Sequence, residues 1–93
     1  MAQKFRAKIH WINFAEGGRR MPPSKGTKYC PIIKFDNIML KNAWSVCFIC
    51  TGQEEGGIEI GFLSDEAPAM PLQKGNCFDL YEGGRKTARG EII

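Results

Sequence analysis

The closing segment of the chain reads Cys77-Phe78-Asp79-Leu80-Tyr81-Glu82-Gly83-Gly84-Arg85-Lys86-Thr87-Ala88-Arg89-Gly90-Glu91-Ile92-Ile93. Two short strand-like runs flank the Gly83-Gly84 pair, which is typical of a β-hairpin with a two-residue loop. Both central residues of a type I′ turn need φ > 0, and glycine adopts that conformation without steric cost. We therefore predict a hairpin with a type I′ turn at Gly83-Gly84. The same tetrapeptide, Glu-Gly-Gly-Arg, also occurs at Glu16-Gly17-Gly18-Arg19.

Four segments before this hairpin also have the pattern of β-strands. They run from Lys4 to Trp11, from Tyr29 to Phe35, from Ala43 to Thr51 and from Ile58 to Ser64. The first alternates strictly between apolar and basic residues, which indicates a half-buried strand. The second contains Pro31, which cannot donate to a ladder, so we expect an edge strand or imperfect pairing at its start. The third is apolar on both faces, and we expect it at the centre of the core.

The sequence shows no helical periodicity, and its roughly six short strands are separated by turns rich in glycine and proline. This pattern predicts an all-β sandwich or barrel, and closure into a barrel would remove exposed sheet edges. The length of 93 residues fits one domain, spanning residues 1–93.

Targeting and cysteine content lead to further expectations. No apolar run approaches the roughly 18 residues of a membrane span, and the N-terminus lacks the apolar core of a secretion signal. We therefore expect a cytoplasmic protein without a membrane partner, and its four cysteines as free thiols. Cys47-Phe48-Ile49-Cys50 has C-x-x-C spacing, but a strand points residues i and i+3 to opposite faces, which argues against a metal or redox site.

Charge is distributed unevenly along the chain. The first 42 residues carry nine Lys or Arg against two acids, for a net +7, and the remainder carries four against eight, for a net −4. Two groups supply most of the positive charge: Lys4, Arg6 and Lys8 on the outer face of the first strand, and Arg19, Arg20, Lys25 and Lys28 in a loop stiffened by two prolines. Together they predict a basic face. The alternative is that the two halves of the chain neutralise each other across the sheet.

The chain resembles the third, C-terminal β-barrel domain of elongation factor Tu and related translation GTPases. One matching region is Glu16-Gly17-Gly18-Arg19 followed by Tyr29-Cys30-Pro31 and Phe35, where the family has an acidic-Gly-Gly-Arg-His-Thr loop leading to Tyr-Arg-Pro. The other is Gly75, Phe78 and the segment from Glu82 to Gly90, against the family ending Arg-Glu-Gly-Gly-Arg-Thr-Val-Gly-Ala-Gly. Order and spacing agree over nearly the whole chain.

This resemblance implies a six-stranded antiparallel Greek-key β-barrel. In the family, the domain contacts the T-arm of aminoacyl-tRNA, packs against the GTPase domain and helps to hold the nucleotide-exchange factor. Arg19 matches an arginine near the tRNA backbone, Arg20 replaces the neighbouring histidine, and Gly83 matches a turn glycine that approaches the RNA. Two positions depart from the pattern: Ile32 replaces a tRNA-contacting glutamine, and Pro68 falls where a tRNA-contacting lysine is expected.

These observations predict a non-catalytic binding module for tRNA or other structured RNA. The RNA-binding residues we expect are Lys4, Arg6, Lys8, Arg19, Arg20, Lys25, Lys28 and Gly83. The alternative is a protein-interaction barrel that exposes the apolar segment Ile38-Met39-Leu40, with self-association as its simplest form. No nucleophile and base form a recognisable catalytic group, and no phosphate-binding loop motif occurs, so we expect no enzyme activity, metal, cofactor or nucleotide binding.

Overall fold

The computed structural model describes residues 3–12, 15, 17, 23–36, 43–67 and 71–93. These residues form seven strands and a short 3-10 helix, Glu54–Gly56. The strands are β1 (Lys4–Trp11), β2 (Lys28–Tyr29), β3 (Ile32–Phe35), β4 (Trp44–Ile49), β5 (Ile58–Phe62), β6 (Cys77–Glu82) and β7 (Arg85–Ile92). No helix among the described residues is long and apolar enough to cross a bilayer.

Six of the strands close into an antiparallel barrel. Around it the order is β4, β3, β6, β7, β1 and β5, and β5 returns to pair with β4. The seventh strand, β2, pairs with the same edge of β4 as β3 does and lies in line with β3. Strands β3, β4 and β5 lie side by side in chain order, and β6 returns beside β3, which is the Greek-key arrangement. The predicted fold class is therefore confirmed.

The barrel interior is built around Phe78 on β6. This residue is fully buried, and its ring packs edge-on against Phe5 and Phe35, with ring centroids 6.0 and 5.7 Å away. On the neighbouring strand β7, Phe78 pairs with Gly90. A Cβ atom at Gly90 would overlap the Phe78 ring and lie 3.0 Å from Ile9 Cδ1. The core at this point has room for a ring only because residue 90 has no side chain.

The alternation predicted for the first strand is confirmed. Phe5, Ala7 and Ile9 are buried, whereas the intervening basic residues are exposed. β4 differs from its prediction because its outer face is only partly covered. Val46 and Phe48 are buried, but Ile49 on the outer face is 52% exposed. An outer position of a single-layer barrel has nothing packed over it unless another element crosses there.

Pro31 divides the predicted second strand in two. β2 ends at Tyr29 and β3 begins at Ile32, and the pairing with β4 keeps one register through the gap. The Pro31 carbonyl still accepts a hydrogen bond from the Val46 amide at 3.0 Å. Proline has no N–H, so it cannot donate the second bond of this pair to the Val46 carbonyl. The prediction of imperfect pairing is confirmed. The edge position is not, since β3 has β4 on one side and β6 on the other.

The closing hairpin has the predicted two-residue loop, with Glu82 paired to Arg85. The turn type differs from the prediction. Gly83 has φ +62°, but Gly84 is outside the left-handed region. A positive φ at the first central residue alone is the pattern of a type II′ turn, which suits the right-handed twist of the flanking strands as well as type I′ does.

The prediction of four free thiols is wrong for Cys30 and Cys47, which form a disulfide. Cys30 lies in the gap between β2 and β3, and the register places it directly opposite Cys47 on β4. Cys50 and Cys77 remain thiols. Cys50 is buried inside the barrel and Cys47 faces outward, so the expected separation of the C-x-x-C pair onto opposite faces is confirmed. Sequence spacing does not show which strands become neighbours.

We expect Gly90→Ala to lower the free energy of unfolding by about 2 kcal/mol, because the new methyl group would force the Phe78 ring out of its position. The control is Gly84→Ala, since nothing lies within 4 Å of a Cβ at that position. Urea denaturation measures both variants. Equal stability of the two would contradict the packing of Phe78 against residue 90.

Candidate nucleic-acid interface

One end of the barrel gathers several of the predicted binding residues, and we call it the Trp11 end. Trp11 finishes β1 there, opposite Ala88. Gly26, just before β2, donates its amide to the Cys50 carbonyl at 2.7 Å, and the Cys50 amide donates to Thr27 at 2.9 Å. The Trp11 end therefore consists of the last residues of β1 and β4, the first of β2, the loop that contains Glu54 and the hairpin turn at Gly83.

Three aromatic rings close this end. The ring centroid of Tyr29 lies 5.4 Å from that of Trp11 and 5.6 Å from that of Phe48, and both contacts are edge-on. The Tyr29 hydroxyl donates to Glu82 Oε2 at 2.9 Å and lies 2.7 Å from the hydroxyl of the fully buried Thr87. These contacts join β2 to the base of the hairpin. They also place the strand that carries Lys28 at the same end of the barrel as the hairpin turn that contains Gly83.

A buried carboxylate organises the adjacent loop. Glu54 is 5% exposed, and its Oε1 accepts from Trp11 Nε1 at 3.0 Å. Its Oε2 accepts from the Thr51 amide at 2.8 Å, the Thr51 hydroxyl at 3.0 Å and the Gly52 amide at 2.7 Å. Burial opposes ionisation, but these hydrogen bonds outweigh it and hold the pKa of Glu54 below its ordinary value. The carboxylate ties the loop to the end of β1.

Sequence reasoning missed Glu54. The signal that was available is the Thr51-x-x-Glu54 spacing, which is the capping-box pattern in which a glutamate bonds back to the amide three residues earlier. The bond from Trp11 had no such signal, because the two residues are far apart in the chain and meet only when β1 lies beside the 3-10 helix.

Lys25, Lys28 and Gly83 all lie at the Trp11 end. Both lysines are exposed, and neither forms an ion pair with another described residue. At Gly83 nothing lies within 4 Å of a Cβ position, so the turn is open to solvent. Arg19 and Arg20 lie outside the described residues, as do Pro68 and the segment Ile38-Met39-Leu40.

The other predicted basic residues lie on the outer face of β1, where acids surround them. Lys4 Nζ is 4.0 Å from Glu59 Oε1, and Lys8 stands opposite Glu91 on β7. Arg6 donates from Nη2 to the Gly57 carbonyl at 3.3 Å. At the end of this row, His10 Nδ1 lies 3.2 Å from Glu55 Oε1. Strands β5 and β4 separate the row from Lys28 on β2. On this face the positive charges are balanced by the acidic half of the chain.

A second charged group, absent from the sequence predictions, centres on Arg89. Its Nη1 donates to Asp79 Oδ1 at 2.7 Å, and it also bonds both carboxylate oxygens of Asp36. The hydrogen bond from Arg89 holds the pKa of Asp36 below its ordinary value, and the two carboxylates raise the pKa of Arg89. Lys86 Nζ lies 3.3 Å from the second oxygen of Asp79. The guanidinium of Arg89 is therefore occupied and is not offered to a phosphate.

We expect Glu54→Gln to lower the free energy of unfolding by about 2 kcal/mol near neutral pH. The glutamine side chain would place an NH2 group where one carboxylate oxygen now accepts hydrogen bonds, so buried donors would lose their acceptor. The lowered pKa in the folded state means that the carboxylate stabilises the fold above its ordinary pKa of 4.5, and that this stabilisation is lost as the pH falls through the folded value.

The difference between wild type and Glu54→Gln should therefore shrink in acid, as measured by urea denaturation at about pH 7 and about pH 3. The matched control is Glu55→Gln, because Glu55 is exposed and its carboxylate pairs only with the exposed His10 among the described residues. A difference between wild type and Glu54→Gln that does not change with pH would contradict the role of the ionised carboxylate.

No protein-family model and no curated protein matches this chain. The functional assignment therefore depends on the geometry of the Trp11 end and on the turn motifs described above.

Proposed function

We propose that this protein is a non-catalytic module that binds structured RNA at the Trp11 end. The observation that carries the proposal is the pair Lys25 and Lys28, which are exposed and have no acidic partner among the described residues, beside the open turn at Gly83. Lysines in this condition are available to phosphates, and phosphate contacts supply most of the sequence-independent affinity for nucleic acid.

The rigidity of this end supports the proposal. Tyr29 anchors the strand that carries Lys28, and Glu54 fixes the neighbouring loop. Charges on an ordered surface lose less conformational entropy on binding than charges on a free loop. The row on β1 is less suitable, because each phosphate bound there would have to displace or approach a carboxylate.

The resemblance to the elongation factor domain supports RNA as the ligand. Arg19 and Gly83 match positions that approach tRNA in that family, and Arg19 belongs to the loop that leads into Lys25 and Lys28. At Ile32 and Pro68 this chain lacks the glutamine and the lysine that contact tRNA in that family. We therefore propose recognition of the shape and backbone of an RNA helix, which requires no base-specific contact.

We expect the double variant Lys25→Gln, Lys28→Gln to weaken RNA binding and to flatten its salt dependence. Each lost phosphate contact should reduce the slope of log K against log salt by about 0.7 to 0.9. Titration of a fluorescent tRNA or hairpin RNA at several salt concentrations measures both quantities.

The control is the double variant Lys4→Gln, Lys8→Gln, which removes the same charge from the face where acids already balance it. It should leave the slope nearly unchanged. If the two double variants lower affinity equally, binding depends on net charge and not on the Trp11 end.

The second candidate function is a protein-interaction barrel, and one observation favours it. Leu63 is 65% exposed and Ile49 is 52% exposed, and both lie on the outer side of the paired strands β4 and β5. The register places Leu63 opposite Ser45, four positions along β4 from Ile49, and exposed apolar side chains that share one face favour a protein interface. The simplest partner is a second copy of the chain.

If this face mediates self-association, sedimentation velocity should show a dimer that forms with rising concentration, and Leu63→Ser should shift it towards monomer. Lys74→Ser is a control on an exposed turn residue outside this face. A strict monomer at every concentration would rule out the homodimer.

A further inference from the structure

The disulfide between Cys30 and Cys47 lies where the pairing of β2 and β3 with β4 is weakest. The two half-cystines form a non-hydrogen-bonded pair, because ladder bonds join Pro31 with Val46 on one side and, three positions along on the other side, Thr27 with Cys50, and hydrogen-bonded pairs alternate along the ladder. Opposed residues approach most closely at such pairs, and the two Cα atoms are 4.1 Å apart. The register thus brings the two sulfurs together.

The disulfide compensates for a gap in the ladder. Pro31 removes one hydrogen bond directly beside it, and β2 contains only two residues, which pair with β4. On one side of the gap lies β3, held by β4 and β6. On the other side lie Lys25 and Lys28. The covalent bond therefore fastens the lysine-bearing segment to the barrel at its point of least support.

The position of the disulfide makes it accessible to a reductant. Cys30 is exposed and Cys47 is half-buried on the outer face of β4. The two remaining cysteines do not compete for either sulfur directly, since Cys50 points into the core and Cys77 lies on β6, across β3 from β4. Exposed disulfides are the ones that thiol exchange reaches.

We propose that Cys30 and Cys47 form a reversible redox site whose substrate is a protein or small-molecule dithiol, and that its oxidised state orders the lysine-bearing segment. One thiolate of the dithiol attacks Sγ of Cys30, the bond to Cys47 breaks, and Cys47 leaves as a thiolate that takes up a proton. The second thiol of the dithiol then attacks the mixed disulfide and releases Cys30. Two electrons and two protons pass to the pair, and the dithiol becomes a disulfide.

Reduction leaves the barrel closed, because the six-strand circuit and its core do not include the disulfide. Tyr29 keeps its contacts in the core, but the segment from Lys25 to Lys28 is then held to β4 by backbone hydrogen bonds alone and can separate from it more often. The effect of this release on RNA binding depends on the proposed function, whereas the release itself does not.

Two measurements by mass spectrometry test the site, with dithiothreitol as the reductant. The first counts free thiols by alkylation with iodoacetamide under denaturing conditions: two cysteines should react in the oxidised protein, and four should react after reduction. The second measures hydrogen exchange of the folded protein in both redox states. Reduction should speed exchange at the amides of Gly26 and Cys50, which bridge β2 and β4, by roughly tenfold or more, and leave β6 and β7 unchanged.

The double variant Cys30→Ser, Cys47→Ser should exchange rapidly at these amides with and without reductant, whereas Cys77→Ser should respond as wild type does. Four reactive cysteines before reduction, or equal exchange in both redox states, would overturn the proposal. RNA titration of the two states separates the two proposals. Exchange that responds to reduction in a protein that binds no RNA supports the redox site and refutes the proposed function.

Discussion

The interior of a closed six-stranded barrel has room for few large side chains, and here the ring of Phe78 takes the central place. It has that room because Gly90, its pair on β7, has no side chain, and because Phe5 and Phe35 meet it edge-on. With this face inward, alternation directs Asp79 and Arg89 outward on the same two strands. The positions of the surface charges thus follow from the packing of one ring.

Buried hydrogen bonds fix the structure of the Trp11 end. Glu54 accepts four hydrogen bonds, and the Tyr29 hydroxyl bonds both the Glu82 carboxylate and the hydroxyl of Thr87. Among the described residues, no buried side-chain nitrogen or oxygen lacks a partner. A network satisfied in this way holds one arrangement, because any movement leaves a buried donor or acceptor unmatched. Loop residues such as Thr51 and Gly52, which bond to this network, therefore have defined positions although they lie in no strand.

The distribution of charge in three dimensions differs from its distribution along the chain. The N-terminal half has most of the cations, yet those on β1 face Glu59 and Glu91 on the adjacent strands, and Arg89 in the C-terminal half is held by two aspartates. Lys25 and Lys28 form no ion pair within the described part of the chain, and β4, the strand that pairs with β2, carries no acid. Net charge therefore indicated a basic protein, and strand order decided which lysines lie beside acids.

The sequence alone determined the features that depend on a residue and its close neighbours: the alternation in β1, the gap at Pro31, the two-residue loop at Gly83 and the opposed faces of Cys47 and Cys50. The pattern of strands and turns predicted a sandwich or barrel, and the six-stranded Greek-key form was expected only from the resemblance to the elongation factor domain. The tertiary structure alone decided the pairing of Cys30 with Cys47, the burial of Glu54 beneath Trp11, the exposure of Ile49 and the acids beside Lys4 and Lys8. Each of these depends on which strand lies beside which and in what register, and strands distant in sequence acquire that relation only when the barrel closes.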